Sequence, residues 1–271
     1  MTETDAAYRW LSGGLRLIES CETSEPRLEV ADSWLVENGL VRALELHRER
    51  FERSAASVGW ADTAALAAFW AASLAAIPRD GLWFPRVELL EHEGGLELRF
   101  RLRPAPGLGT ALTLAVPDVP DPRRVPSIKG PDIPALMRLR QRAQRLGAQE
   151  AMILTPDGSI VDGSTTALLW WRHGALRHPP AEMARVDSVT ARTIMVLAAA
   201  FGVETHGESV LPGGLGGCVV WAVNALHGIR QVTSIVDGPE LAADDRLLAI
   251  WRRRLTLLRK PLTKPEDWPE D

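Results

Sequence analysis

Between Leu96 and Leu102 the chain alternates strictly, with Leu96, Leu98, Phe100 and Leu102 on one side and Glu97, Arg99 and Arg101 on the other. A period of two predicts a strand with one buried and one solvated face. Leu82 to Leu90, joined to it through His92-Glu93-Gly94-Gly95, predicts its neighbour. Upstream, Leu28, Val30, Ser33, Leu35 and Val36 read as a strand, Glu37-Asn38-Gly39 has tight-turn composition, and Leu40 to Leu44 returns as the second arm of a hairpin. Leu46 to Ala55 is charged on one side and apolar on the other at helical spacing. A second helix is expected from Asp62, its N-cap, to Ile77, stopped by Pro78. Residues 1 to 26 read as helical or irregular, and Thr110 to Val116 as the strand that completes a small N-terminal sheet.

Pro117 to Pro126 contains four prolines, which cannot donate ladder hydrogen bonds and favour an extended connector. A domain boundary is expected there, giving a smaller domain over residues 1–116, a connector over 117–126, and a larger domain over 127–260. In the larger domain Asp132 is positioned to cap an Arg-rich helix that ends at Gly147. Ala151 to Thr155, Ser159 to Val161 and Thr166 to Trp171 read as strands. Ser188 caps a helix running to Phe201, Cys218 to Val223 is a central strand, Gln231 to Val236 another, and Leu241 to Leu258 a closing amphipathic helix. Residues 261–271, rich in proline and acid, are expected to form a disordered tail.

Composition narrows the field. The 271 residues are 46% hydrophobic with a net charge of −4, enough apolar content for two cores and too evenly mixed in sign to steer a nucleic acid onto one face. The longest apolar run, Ala64 to Ile77, is too short to cross a bilayer as a helix, so no membrane role is expected. Cys21 and Cys218 lack the spacing of a zinc site or a redox dithiol, so no metal is expected, and a reducing cytoplasm fits. The polar, acidic start, Met-Thr-Glu-Thr-Asp, has no secretory pattern.

The chemistry concentrates between Ser127 and Gly163. Here Lys129, at a strand end, and an acidic residue at a turn flank the Arg-rich helix. An amine that forms a Schiff base and a carboxylate that keeps a pyridinium nitrogen protonated are the two groups pyridoxal phosphate chemistry requires. On their own, a lysine before Gly-Pro is more often a solvated loop residue, and Asp-Gly more often a turn.

An ordered set of motifs between residues 30 and 236 resembles the class IV pyridoxal-phosphate aminotransferases, which include branched-chain and D-amino-acid aminotransferases and aminodeoxychorismate lyase. Glu37-Asn38-Gly39 through His47-Arg48-Glu49-Arg50-Phe51 is similar to the family's hairpin followed by His-x-x-Arg-Leu, which implies that Arg50 contacts the cofactor phosphate. Ile128-Lys129-Gly130 is similar to the Schiff-base lysine segment. Gly147 to Ser164 resembles the segment whose glutamate meets the pyridine nitrogen, with Asp162 in that place and Ala167 near the position of a usual asparagine. Asp187-Ser188-Val189-Thr190-Ala191-Arg192 resembles the family's Gly-Ile-Thr-Arg, so Val189 and Thr190 inherit backbone contacts to phosphate at a helix start. Asn224-Ala225-Leu226 resembles the lyase more than the branched-chain enzymes, and Ala225, lacking a hydroxyl, would serve through its backbone.

The resemblance implies a two-domain α/β (α+β) architecture of fold type IV, a homodimer, and pyridoxal 5'-phosphate held at Lys129. The expected reaction moves an amino group between an amino acid and a 2-oxo acid. Lyase-type elimination of pyruvate and a non-catalytic family member are the alternatives. Arg42, Arg124, His227 and Arg230 are candidates for the substrate carboxylate, and Trp34 and Trp171 for the pocket wall.

Overall fold

Residues 5–18 and 26–262 are described in a computed structural model, and their contacts divide the chain into two units. The first holds residues up to Gly107, the segment Ile128–Pro131 and the chain from Leu258; the second holds Leu108–Ser127 and Asp132–Leu257.

The amino-terminal stretch, expected to be helical or irregular, is a hairpin of β1 (Ala6–Leu11) and β2 (Gly14–Leu17). Its two-residue turn places Ser12 and Gly13 at φ 48° and 78°. Tyr8 and Trp10 alternate with Arg9, and their rings lie 6.0 Å from Phe100 and 5.9 Å from Phe69. So short an alternation is easily lost among small residues. The unit continues through β3 (Arg27–Ser33), β4 (Val36–Glu37), β5 (Leu40–Arg42), α1 (Leu44–Ser57), α2 (Thr63–Ala75), β6 (Leu82–Trp83), β7 (Arg86–His92) and β8 (Gly95–Leu102).

Antiparallel pairing orders the main sheet β2-β1-β8-β7-β3. Val30, Val87, Leu89, Leu98 and Phe100 turn one face into a core shared with Phe51 of α1 and Phe69, Trp70 and Leu74 of α2. Trp34 stacks on Trp70 at 5.1 Å, so it is a core residue. The other face, expected to be solvated, buries Glu88, Glu97 and Arg99. Carboxylates are tolerated there because guanidinium groups on the same and the neighbouring strand meet them: Arg86 and Arg101 reach Glu88 at 2.9 and 3.1 Å, Arg9 reaches Glu97 at 2.8 Å, and Arg99 also pairs with Glu97.

The second unit contains β9 (Ala111–Ala115), α3 (Ile133–Arg145), β10 (Glu150–Leu154), β11 (Ile160–Gly163), β12 (Ala167–Arg172), β13 (Ala175–His178), α4 (Val189–Ala200), β14 (Thr205–Gly207), β15 (Val219–Asn224), β16 (Gly228–Ile235) and α5 (Asp245–Leu257). Its eight-stranded sheet runs β11-β10-β9-β16-β15-β12-β13-β14. The strand β9 therefore does not complete the small sheet, as its sequence suggested. It lies parallel between β10 and β16, with Leu112 and Leu114 buried. Alternation marks a strand without naming its neighbours.

Asp132 stands at the N-cap position of α3 but makes no side-chain bond to the helix. Its carboxylate instead accepts the Arg124 and Val125 N–H groups at 3.0 and 2.8 Å, fastening the end of the proline-rich connector. Trp171, Trp221 and Trp251 meet edge to face at 5.4 to 5.9 Å between the sheet and α5, so Trp171 is also a packing residue.

Two returns complete the first unit. β17 (Arg259–Pro261) pairs with β5, so the expected tail begins inside a strand; residues 263–271 lie outside the described residues. Ile128–Pro131 lies against β3, where Ala31 N–H donates to the Lys129 carbonyl at 2.6 Å. Only glycine fits next to that bond: a Cβ on Gly130 would stand 2.6 Å from the Glu29 carbonyl oxygen.

Candidate active site

In the first unit Lys129 and Arg50 are brought to the same strand from positions far apart in sequence. Helical spacing puts His47 and Arg50 on one face of α1, and that face meets Asp32, which is fully buried on β3. Arg50 donates from Nε to Asp32 Oδ2 and from Nη2 to Oδ1, both at 2.8 Å. His47 Nδ1 lies 2.7 Å from the same Oδ1, and the Ser33 N–H donates to it at 2.7 Å. Burial alone would raise the Asp32 pKa, but Arg50 and His47 prevail and hold the carboxyl well below its usual range. Burial pushes His47 down; Asp32 opposes this, while Arg50 and Arg42 reinforce it.

One residue from this cluster along β3, Ala31 holds the backbone of Lys129. The half-buried Lys129 amine is pushed down to about 8, first by burial and then by Arg50, with Arg86 and Arg103 adding to the effect and Asp32 opposing it. A lysine so placed carries a usable neutral fraction near neutral pH.

In the second unit Asp162 sits on β11 opposite Ile153. Burial pushes its carboxyl up to about 7, opposed by Arg123, Arg185 and the Gly163 N–H, while nearby Glu150 adds to the rise. Its Oδ1 is buried with no hydrogen-bond partner among the described residues. Arg123 is paired with Asp121 at 2.8 Å. Arg185 donates to the carbonyls of Pro179, Pro180 and Met183 at 2.9, 2.6 and 3.1 Å, which fixes the loop leading into α4.

At the start of α4 the Ser188 hydroxyl accepts the Ala191 N–H at 3.3 Å, as an N-cap should. The Val189 and Thr190 N–H groups have no acceptor among the described residues. They are the donors that favour an anion at a helix start.

The turn containing Ala225 is tied to the loop after Asp162. Asn224 Nδ2 donates to the Thr165 carbonyl at 3.2 Å, and Asn224 Oδ1 accepts the His227 N–H at 2.9 Å. Fully buried Glu150 accepts from the Ser164 and Thr165 hydroxyls and from the Thr165 N–H at 3.2 Å. His227 Nδ1 accepts the Gly109 N–H at 3.1 Å, and burial, then Arg230 and Arg140, push its pKa down to about 4. Neutral and engaged, it is a structural histidine. Arg230 is buried with Glu150 at 3.9 Å, Arg124 is exposed, and Arg42 is half-buried with its pKa lowered by burial.

These residues fit pyridoxal phosphate. In the second unit the buried, unpaired Oδ1 of Asp162 lacks a donor of the kind a pyridinium N–H would supply, and the N–H groups of Val189 and Thr190 suit an anion such as a phosphate; in the first unit, taken by itself, Lys129 is an amine of lowered proton affinity. Asp32 and Glu150 were not anticipated. For Glu150 the one sequence signal is a lone carboxylate heading an otherwise apolar strand; β3 carries Glu29 as well as Asp32 and gives no such signal.

A cavity of about 360 Å³ in the second unit, lined by Ala115, Leu146, Pro212, Ile235 and Asp237 among others, includes none of these residues. Among the described residues no helix is long and apolar enough to cross a membrane, and no group of three or more His, Cys, Asp or Glu is placed to hold a metal.

A family model described as amino-transferase class IV matches residues 29–235. No curated protein matches the sequence. Among solved structures, the branched-chain amino acid aminotransferase of Escherichia coli is similar at 17% identity and TM-score 0.80, covering 97% of each chain. A branched-chain aminotransferase of Thermoproteus uzoniensis with norvaline is similar at 19% identity and TM-score 0.79, over 95% of this chain and 100% of that one. An aminotransferase from Brucella abortus bound to the cofactor PLP is similar at 16% identity and TM-score 0.75, over 93% and 98%. At these identities the likeness is one of fold.

Proposed function

The chain belongs to the class IV aminotransferases, and from that premise we propose that it moves an amino group between an amino acid and a 2-oxo acid with pyridoxal phosphate attached at Lys129. The unpaired Oδ1 of buried Asp162 carries the reading, because it is an acceptor whose donor the described chain does not contain.

When bound, pyridoxal phosphate supplies an aldehyde carbon for the amino group and a ring that accommodates the electron pair left by the departing α proton. Lys129 Nζ takes that proton and returns it, since its lowered affinity lets it serve as base and then acid near neutral pH. Asp162 holds the proton on the ring nitrogen. The Val189 and Thr190 N–H groups and the backbone at Ala225 would hold the phosphate, and the family resemblance assigns Arg50, held in orientation by Asp32, to the same group.

The protein acts as a homodimer in this reading. A cytoplasmic location fits the free, buried thiol of Cys218. A second reading, elimination that releases pyruvate, is favoured by Asn224-Ala225-Leu226 alone.

The test is the visible spectrum of the protein with pyridoxal phosphate, wild type against Lys129→Ala, before and after borohydride. The wild type should turn yellow and be fixed covalently at Lys129, and amino transfer to 2-oxoglutarate should follow with a suitable donor. Absence of cofactor binding, or equal trapping in the variant, overturns the proposal. Pyruvate release without an amino acceptor would favour the lyase.

A further inference from the structure

The cavity of about 360 Å³ in the second unit shares none of its lining with the residues assigned to pyridoxal phosphate. It opens where two strands end together. β9 and β16 run parallel, with Ile235 opposite Leu114, so their carboxyl ends lie side by side. Ala115 and Val116 line the cavity from one strand end and Ile235 from the other. Leu146, at the C-cap of α3, and Pro212, in the short helical turn Pro212–Leu215, complete the apolar wall.

The wall is held in place by backbone bonds. Val236 N–H donates to the Leu114 carbonyl at 2.9 Å, Gly238 N–H to the Ile235 carbonyl at 3.0 Å, and Gly217 N–H to the Glu240 carbonyl at 2.9 Å. The turn after β16 also closes directly on Ile235: a Cβ on Gly238 would stand 2.6 Å from the Ile235 Cβ. A cavity framed in this way is preformed, so a ligand entering it costs the chain little ordering. Its volume falls among those of small-molecule sites, roughly 300–1,000 Å³.

One lining residue carries charge. Asp237 is exposed and held at φ 51°, a conformation few non-glycine residues adopt. Its carboxylate makes no hydrogen bond or ion pair among the described residues. The carboxyl end of α3, reaching the cavity at Leu146, adds partial charge of the same sign. Arg142 and Arg145, in the last turn of α3, are exposed and are not part of the lining. Apolar walls with a free carboxylate at the rim select a cation with an apolar body.

We propose that this cavity is a small-molecule site for an organic ammonium compound, with the cationic nitrogen meeting Asp237 and the apolar body lying against Val116, Leu146 and Ile235. It stands independently of the amino-transfer reading.

The test is isothermal titration of N,N-dimethyl-2-phenylethylamine, a tertiary ammonium that cannot form a Schiff base, into the full chain at pH 7 with and without pyridoxal phosphate. Wild type, Asp237→Asn, Val116→Trp, Arg145→Gln and Lys129→Ala are compared. Wild type should bind with a Kd of about 1 mM or lower, equally with and without cofactor. Asp237→Asn, in which asparagine keeps the left-handed turn, should weaken binding roughly threefold to tenfold. Val116→Trp, which fills the opening, should weaken it by at least about tenfold. Arg145→Gln and Lys129→Ala should stay within about twofold, and 3-phenylpropionate, with the same ring and the opposite charge, should bind wild type about tenfold more weakly. A wild type that does not bind the amine overturns the inference. So does an Asp237→Asn protein that binds like wild type, a 3-phenylpropionate affinity equal to that of the amine, or a loss in Lys129→Ala that would put the ligand at the lysine.

Discussion

Asp32 receives two hydrogen bonds from Arg50, each 2.8 Å long, and both side chains are buried. The carboxylate therefore fixes the plane of the guanidinium proposed to meet the phosphate, and one residue away the same strand holds the Lys129 backbone. Removing the charge from Asp32 takes away the buried carboxylate that meets Arg50 and His47. Asp32→Asn should destabilise the fold by about 3 kcal/mol in urea denaturation and weaken pyridoxal phosphate binding about tenfold. The Asp32 pKa is depressed in the folded state, so its stabilising contribution is complete above pH about 4 and is lost as pH falls further. The wild-type advantage over Asp32→Asn should follow that pH dependence. Equal stability of the two proteins at pH 7 would show that Asp32 does not anchor Arg50.

Lys129 sets a second pH dependence. The neutral amine is the nucleophile, and its folded-state pKa of about 8 lies below the ordinary value of 10.5. Covalent capture of pyridoxal phosphate should therefore accelerate with pH and level off above about pH 8, whereas an unperturbed lysine would still be gaining at pH 10. Stopped-flow absorbance across that range measures it. Arg50→Gln removes the largest electrostatic contribution to the lowering and should move the midpoint upward.

Gly130 ties the lysine to its strand. A methyl group there would meet the Glu29 carbonyl oxygen at 2.6 Å and the Val30 Cα at 2.8 Å, both backbone atoms that cannot swing aside. Gly130→Ala should push Ile128–Pro131 away from β3, break the Ala31–Lys129 hydrogen bond and cost roughly 1–3 kcal/mol. Borohydride trapping at Lys129 should fall with it. Unchanged trapping would show that the lysine does not depend on that contact.

Where periodicity was long, it placed elements well: β8, α1 and α2 follow the alternation and the helical stripe closely, whereas the single strand expected over Leu82–Leu90 is broken into β6 and β7, which join different sheets. It missed β1 and β2, whose pattern spans few residues, and misplaced β9, because an apolar alternation is the same whichever sheet receives it. The candidate site was legible as residue types and much less as electrostatics. Asp32 shares the Val30 face of β3, and nothing in the local pattern marks a carboxylate there as buried until α1 lies over it. Motif order pointed to Lys129 and Asp162, but the displacement of their proton affinities depends on burial that no local pattern encodes.

Asp162 gives a prediction of opposite sign from Asp32. Its folded-state pKa is raised to about 7, so between pH 4 and 7 the unfolded chain loses a proton that the folded chain keeps. Folding is then progressively disfavoured as pH rises through that window. Without cofactor, Asp162→Asn should be more stable than wild type by roughly 1–3 kcal/mol at pH 8, and the difference should vanish below pH 4. With pyridoxal phosphate present the order should reverse, because the charged carboxylate then has a ring N–H to accept and the amide cannot hold that proton. Thermal denaturation of both proteins, with and without cofactor at pH 4 and pH 8, measures all four cases. A variant that is less stable than wild type at pH 8 without cofactor would show that Asp162 is satisfied within the chain, and its assignment to the ring nitrogen would fail.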